Sequence, residues 1–532
     1  MAFNKKYIPL IIGVAVAAGV FIGGKLNFTD NSDRLFTVNS KKDKLNRLID
    51  YIDYEYVDEV NTDSIVDVTV NGILDKLDPH STYIPKRDLQ RVTENMKGDF
   101  VGIGVSFYTY KDTITVIRPI AGGPSEKAGI KSGDRIIMAD GDSIFGSHWS
   151  NDQIIKKLKG DKNSKIDLKI YRKSEDRFID FKVKRSSIPI TSVDAAYMLT
   201  PELAYIKINR FAESTYKEFK RALDDLQDEG ATKLVLDLRD NPGGFLAIAE
   251  QIADEFLEDD KLILFTKNKS GRVDKSFATK RGDFEEGEVF ILINENSASA
   301  SEIVAGALQD NDKGTIIGRR SYGKGLVQRE MSLGDGSAVR LTVSRYYTPT
   351  GRSIQRPYDN GHNQDYYNDY YKRRSNGEFN DEMNIKVDDS LKFTTPKGKV
   401  VYGGGGIIPD IFVPINPNTQ NETLNFIKYS GLINYFVFEE LDKDRRSYLN
   451  ISKKDFIDNF IVSDDIVLRF QDYLNSRQRD QVTFVAYHQE MKSLIKAALA
   501  DQLYGSNASE EILNATDDMI EEVLKLVKSK KH

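Results

Sequence analysis

The feature that most limits the fold is a repeat of apolar strand, small-residue turn and helix between residues 233 and 318. Residues 233–238 read as a buried strand, the turn Asn241-Pro242-Gly243-Gly244 follows, and 245–257 read as a helix. A second buried strand at 289–293 leads through Asn294 to Ser297 into a helix from about 299 to 308, and a third strand follows at 315–318. Strands that alternate with helices in this way predict an α/β layered core. A longer strand is expected at 337–347.

The flanking segments differ in character. Residues 41–95 are helical by period: Leu45, Leu48, Ile49, Ile52 and Tyr56 recur at three- and four-residue steps, and Ile65 to Leu77 repeat the pattern. Residues 98–185 are strand-rich, with alternation at 113–118, 166–171 and 178–183 and short helices at 124–128 and 151–158. Residues 358–384 are rich in Tyr, Asn, Asp and Arg and read as a flexible or surface insertion. Gly403 to Gly406 form a four-glycine loop, and the chain from about 416 is helical and heavily charged, with no function readable in it.

Lys5 and Lys6 precede an apolar run over 7–24. At about 18 residues it is long enough to span a bilayer, and the lysines stay on the cytoplasmic side. The expectation is an uncleaved signal anchor over 1–26, preferred to a cleaved signal peptide because Gly23-Gly24-Lys25 is a poor cleavage site. Everything beyond it is then extracytoplasmic.

Several chemistries drop out on composition. The chain has no cysteine, so disulfides, thiolate metal sites and cysteine nucleophiles are excluded. Its five histidines include no H-E-x-x-H pair. A net charge of −6 over 532 residues argues against nucleic acid. No metal or cofactor is called for.

What remains is a serine with an unusual base. The segment Asn296-Ser297-Ala298-Ser299-Ala300-Ser301-Glu302 joins a strand to a helix. A single serine there is usually a cap. Three serines spaced by alanines also leave room for a substrate backbone, and a helix N-terminus offers N–H groups to an oxyanion. Residue chemistry does not choose among Ser297, Ser299 and Ser301. A serine nucleophile needs a base, and Lys324, set between Gly323 and Gly325, is the available one. Its pKa must fall by roughly 3 from about 10.4 to work near neutrality. Burial and the neighbouring Arg319 or Arg320 are expected to supply that. Gln328, four residues on, shares a face with Lys324 and can orient the amine. The turn at Gly243-Gly244 offers further oxyanion donors.

These segments resemble the C-terminal processing peptidases, or tail-specific proteases, of peptidase family S41. The likeness lies in Asp237 to Gly244, Ser297 to Ile303 and Tyr322 to Gln328, with Leu77 to Tyr83 and Tyr402 to Asp410 beside them, and it runs in order over about 40–415. It implies a protease core of the ClpP/crotonase type at 186–415, an inserted PDZ domain at 98–185, a helical region at 27–97 and a C-terminal helical region at 416–532 outside the shared pattern. It implies Ser299 as nucleophile, Lys324 as base and Gln328 in support. Oxyanion donors would be Gly243 or Gly244 with Ala300. Gly102, Ile103, Gly104 and Val105 would hold the terminal carboxylate of a peptide that pairs as an added strand. Lys159 is a candidate for coupling ligand binding to activity. The expected activity is that of a serine endopeptidase acting on proteins with exposed C-termini, with an adaptor or a homo-oligomer as further partners. A catalytically inactive peptide-binding scaffold of the same fold is the alternative. A P-loop reading of Gly318 to Lys324 fails because Gly325 stands where the magnesium-binding hydroxyl belongs.

Overall fold

The computed structural model describes residues 40–146, 149–359, 363–416, 422–477, 484 and 487–530. The apolar run at 7–24 lies outside them. Among the described residues no helix is long and apolar enough to cross a membrane. The chain falls into two compact units divided after Leu74. The first holds two helices, Ser40–Glu55 and Thr62–Leu74.

In the second unit, a six-stranded sheet forms the core. Its order is Val193–Thr200, Leu203–Ile208, Lys233–Asp237, Glu288–Ile293, Gly314–Gly318 and Ile411–Phe412. The first pair is antiparallel and the rest are parallel. The period of two in each strand assigns its side chains to two layers. Leu234, Leu236, Ile291 and Ile293 point to a core shared with the helices Thr215–Asp228, Leu246–Asp254 and Ala300–Asp310. Val235, Phe290 and Leu292 point the other way and are covered by Met519, Ile520, Val523 and Val527 of the helix Asp518–Ser529. The far C-terminus is therefore one of the layers of the core.

A second sheet places Ala338–Tyr347 against Thr82–Ile84, Leu262–Asn268 and Leu326–Ser332. Residues 105–184 form a separate small sheet in the order Val105–Tyr110, Thr113–Pro119, Asp134–Ala139, Lys165–Arg172 and Arg177–Lys184. In Lys165–Arg172 every second residue is buried, and Ile166, Leu168 and Ile170 join Ile114, Val116 and Ile136 in its own core. The helix Asn151–Leu158 closes that core with Ile154 and Leu158, and a Ser150/Gln153 capping box starts it.

The reading of 358–384 as a flexible or surface insertion holds for its surface position, since most of its described residues are exposed, but the segment carries helices with buried anchors. Helices Gln364–Tyr367 and Asp369–Ser375 bury Tyr366 and Arg373, and Phe379 is buried just beyond them. Arg373 and Arg320 both pair with Glu378, at 2.8 and 2.6 Å. Aromatic rings and paired guanidinium groups do here what aliphatic side chains usually do, so low aliphatic content did not mean loose structure.

Candidate active site

Ser299 heads the helix Ala300–Asp310 with φ 56°, a left-handed backbone that a serine adopts only when its surroundings hold it there. Those surroundings are specific. The Ser299 N–H donates to Glu302 Oε2 at 2.8 Å, and the Ser299 carbonyl accepts from the buried Tyr346 hydroxyl at 3.2 Å. Ser297 and Ser301 are fully buried, and their hydroxyls donate to the carbonyls of Leu238 and Asn241 at 2.8 and 3.0 Å. Both serve to clamp the helix start to the 238–241 turn. Ser299 is half-buried, the most accessible of the three.

Lys324 approaches the same point from the following loop. Its N–H donates to Glu302 Oε2 at 2.9 Å, while Glu302 Oε1 accepts from Gly323 N at 2.6 Å and Ser321 Oγ at 2.5 Å. One buried carboxylate thus fastens the backbones of Ser299 and Lys324. Burial pushes the Glu302 carboxyl up, and its donors oppose that shift. The glycines beside Lys324 answer to close packing: a Cβ on Gly323 would meet Gly406 N at 3.1 Å, and one on Gly325 would meet Gln355 N at 2.9 Å.

The Lys324 amine donates to Gln328 Oε1 at 2.9 Å. Gln328 Nε2 donates in turn to the His80 carbonyl, which fixes which end of the amide faces the lysine. Burial holds the Lys324 amine below its ordinary pKa, and the Arg340 charge lowers it further, against Glu302 and Asp78. The expectation that Arg319 or Arg320 plays this part is corrected. Arg319 is paired with Glu295 at 2.8 Å and Arg320 with Glu378, so their charge is already answered. Lys324 is followed by the strand Leu326–Ser332, where a P-loop would require a helix.

The 241–244 turn lies directly beside Ser299. A Cβ on Gly243 would stand 2.8 Å from Ser299 Cβ and 2.8 Å from Ala300 N. The Gly243 N–H itself is taken by Asn241 Oδ1 at 2.8 Å. Among the described residues the N–H groups of Gly244 and Ala300 make no hydrogen bond, so both remain open to an acceptor beside Ser299. Beneath the turn Arg239 grips Asp237 at 2.6 Å and Asp517 at 2.7 Å, tying it to the C-terminal helix.

Residue chemistry overlooked Glu302 and His80. The Ser-x-x-Glu spacing of a capping box was the available signal for Glu302. His80 is held neutral, its pKa down to about 3 through burial and then the Lys324 charge, and its Nε2 lies 2.7 Å from the Tyr366 hydroxyl. Nothing local in the sequence ties it to a tyrosine so far along the chain.

In the small domain, Gly102, Ile103 and Gly104 are buried and Val105 is half-buried. The Ile103 carbonyl accepts from Ser125 N and Oγ at 3.0 and 2.6 Å, and the Gly104 carbonyl from Ile120 N at 3.0 Å. With their carbonyls bonded inward, the N–H groups of Ile103 and Gly104 make no hydrogen bond among the described residues. Lys159 pairs with Glu94 of the helix Lys86–Lys97, and its amine lies 4.8 Å above the Phe100 ring.

Three family profiles match the chain: Peptidase family S41 over residues 202–367, PDZ domain over 101–183, and a family of unknown function, DUF8443, over 423–505. A carboxy-terminal-processing protease of Bartonella bacilliformis is 34% identical over 356 residues, 66% of this chain and 80% of that one. A probable CtpA-like serine protease of Staphylococcus aureus is 32% identical over 360 residues, 66% of this chain and 70% of that one. Among solved structures, the photosystem II D1 C-terminal processing protease is 28% identical, with a TM-score of 0.33 over 59% of this chain and 83% of that one. The chain belongs to the carboxy-terminal-processing serine proteases of peptidase family S41, with a PDZ domain inserted before its protease core.

Proposed function

We propose that the chain is a serine endopeptidase in which Ser299 is the nucleophile, Lys324 the general base and Gln328 the group that orients the base. The observation that carries this reading is the shared carboxylate oxygen: Glu302 Oε2 accepts the N–H groups of both Ser299 and Lys324. In the reaction, neutral Lys324 takes the Ser299 hydroxyl proton as Oγ attacks the scissile carbonyl. The Gly244 and Ala300 N–H groups receive the oxyanion. The Lys324 ammonium then protonates the leaving amine, and an acyl-enzyme remains. Water, deprotonated by Lys324, hydrolyses it. With one N–H of the neutral amine donated to Gln328 Oε1, its single lone pair lies elsewhere on the nitrogen and is available for the serine proton.

The PDZ domain supplies the substrate. A C-terminal carboxylate on the Ile103 and Gly104 N–H groups lets the peptide pair along the free edge of Val105–Tyr110. The lysine-preceded apolar run at 7–24 supports a membrane anchor and envelope proteins as the substrates.

The test is cleavage of an unfolded protein with an apolar C-terminus by the wild type, Ser299→Ala and Lys324→Ala. Both variants should fold and neither should cleave. Cleavage that persists in Lys324→Ala removes the dyad, and an inactive wild type supports the scaffold reading.

A further inference from the structure

Among the described residues, the strand Val105–Tyr110 has a sheet neighbour on one side only, Thr113–Pro119. Its residues alternate between two faces. Val105 and Phe107 pack toward the PDZ core, and the Thr109 hydroxyl bonds to Asn151 Oδ1 at 3.0 Å, at the start of the helix Asn151–Leu158. Tyr108 and Tyr110 take the opposite face and meet the C-terminal helices. The Tyr108 ring lies 4.1 Å from that of Tyr435, and both tyrosines lie 5.8 Å from Phe438. Arg135 pairs with Asp442 at 2.7 Å, with 12% of each side chain exposed, and Lys173 pairs with the same carboxylate at 2.9 Å. The helical segment 423–505 is thus fastened to the outward face of the ligand strand.

At the far end of that strand the contact opens into a cleft of about 500 Å³. Tyr110 forms one wall, and Leu432, Tyr435 and Tyr473 form the other. Arg477 lies over the Tyr473 ring, 3.6 Å from its centroid, and is steadied by Glu439 at 3.3 Å. Tyr473 thus lines the cleft with one ring face under a guanidinium whose charge is already answered.

This placement bears on substrates, given the proposed pairing of a C-terminus with the strand. A carboxylate held at Ile103 and Gly104 sends the peptide along the strand from Val105 toward Tyr110. Each residue advances about 3.4 Å, so the six strand positions carry the peptide roughly 20 Å. Residues about six to eight from the C-terminus then arrive at the cleft, and every second side chain faces the Tyr108 and Tyr110 side. We infer that the cleft is a second recognition subsite, which takes an apolar or aromatic side chain of the same substrate upstream of its C-terminal residues. The segment 423–505 thereby takes part in choosing substrates, and short C-terminal peptides underuse the protein.

The test uses the full chain carrying Ser299→Ala, so that nothing is cleaved, and labelled peptides read by fluorescence anisotropy. All share one apolar four-residue C-terminus. One ends there; others extend to nine residues with a single Phe at the sixth, seventh or eighth place from the C-terminus, or with Ser at all three. One Phe peptide should bind about three- to tenfold tighter than the short and Ser peptides, as expected for added aromatic packing. Tyr473→Ala and the exposed-site variant Arg477→Glu should each remove that gain and leave the short peptide unchanged. Equal affinity for all peptides, with the short one bound, overturns the subsite alone. A folded protein that binds none of them overturns the PDZ pairing on which the subsite rests.

Discussion

Glu302 Oε2 accepts the N–H of Lys324 at 2.9 Å and, with the same atom, the N–H of Ser299. Its other oxygen takes Ser321 and Gly323. An ionised carboxylate only accepts, so it satisfies all of these donors at once. Glu302→Gln replaces one oxygen with an NH₂ group that faces donors. It should lower unfolding stability by about 1–3 kcal/mol. It should also lower kcat/KM under conditions where the variant remains folded, because the two backbones lose their common anchor. Urea unfolding and initial rates on the same sample check both. Wild-type rates in a folded Gln variant would deny Glu302 its role in setting the site.

As the proposed base, Lys324 works only when neutral, so its lowered pKa should set the acid limb of the rate. Activity should rise with pH through that pKa and level off above it. Burial is the larger cause and stays in place in Arg340→Ala. Removing Arg340 takes away a charge that disfavours the ammonium, so the pKa rises and the limb moves to higher pH. A kcat/KM profile reads the shift. Movement to lower pH would mean that a different group titrates.

Gln328→Glu changes a charge at nearly constant shape. A carboxylate beside the amine stabilises its protonated form. It also loses the donor that meets the His80 carbonyl. Activity at neutral pH should drop by roughly 10²-fold or more, the usual scale for losing a general base. Part should return as the pH is raised and the lysine is again neutralised. Gln328→Ala, which adds no charge, should lose activity without that alkaline recovery.

Glycines distinguish packing from freedom. At Gly243, φ is 97° and an added Cβ would lie 2.7 Å from the Ala298 carbonyl oxygen as well as against Ser299. Gly243→Ala should destabilise by about 1–3 kcal/mol through overpacking and abolish most activity. Gly72 sits within the helix Thr62–Leu74 with nothing within 4 Å of an added Cβ. Gly72→Ala should stabilise that helix by about 0.5–1 kcal/mol. Thermal unfolding of the two variants, with activity assays, separates the cases.

The strands at 233–237 and 288–293 and the helix beginning at Ala300 were legible because strong local patterns coincide with their packing. The dyad candidates were legible from residue chemistry and the resemblance picked Ser299; residue chemistry alone did not choose it over Ser297 and Ser301, because that depends on which hydroxyls meet the 238–241 turn. Arg340 as the cation near Lys324 was equally hidden, since strand pairing brings it there. In 358–384 cation–π and ion-pair packing leaves no aliphatic period to read: Arg373 lies 5.4 Å from the Phe379 ring and pairs with Glu378 at 2.8 Å. The C-terminal helices carried a readable helical pattern but no mark of what they cover.

That last gap makes the sharpest stability prediction. Met519, Ile520, Val523 and Val527 are each less than 7% exposed against the second face of the central sheet. Burying such a side chain is worth about 1.5–3 kcal/mol, so the four together contribute roughly 6–12 kcal/mol, comparable to the whole stability of a domain. Deleting residues 518–532 should leave the protease core unfolded or aggregated, although every residue of the candidate site remains. Asp517→Ala is the graded version. Asp517 caps this helix by accepting from Met519 N and Ile520 N at 3.0 and 3.1 Å, and it also holds Arg239 below the 241–244 turn. Loss of the cap alone should cost about 1 kcal/mol. Leaving Arg239 with one fewer partner should loosen the turn and lower kcat more than KM. A deleted chain that keeps wild-type unfolding and activity would show that the helix is dispensable and that the sheet is stable with one face open.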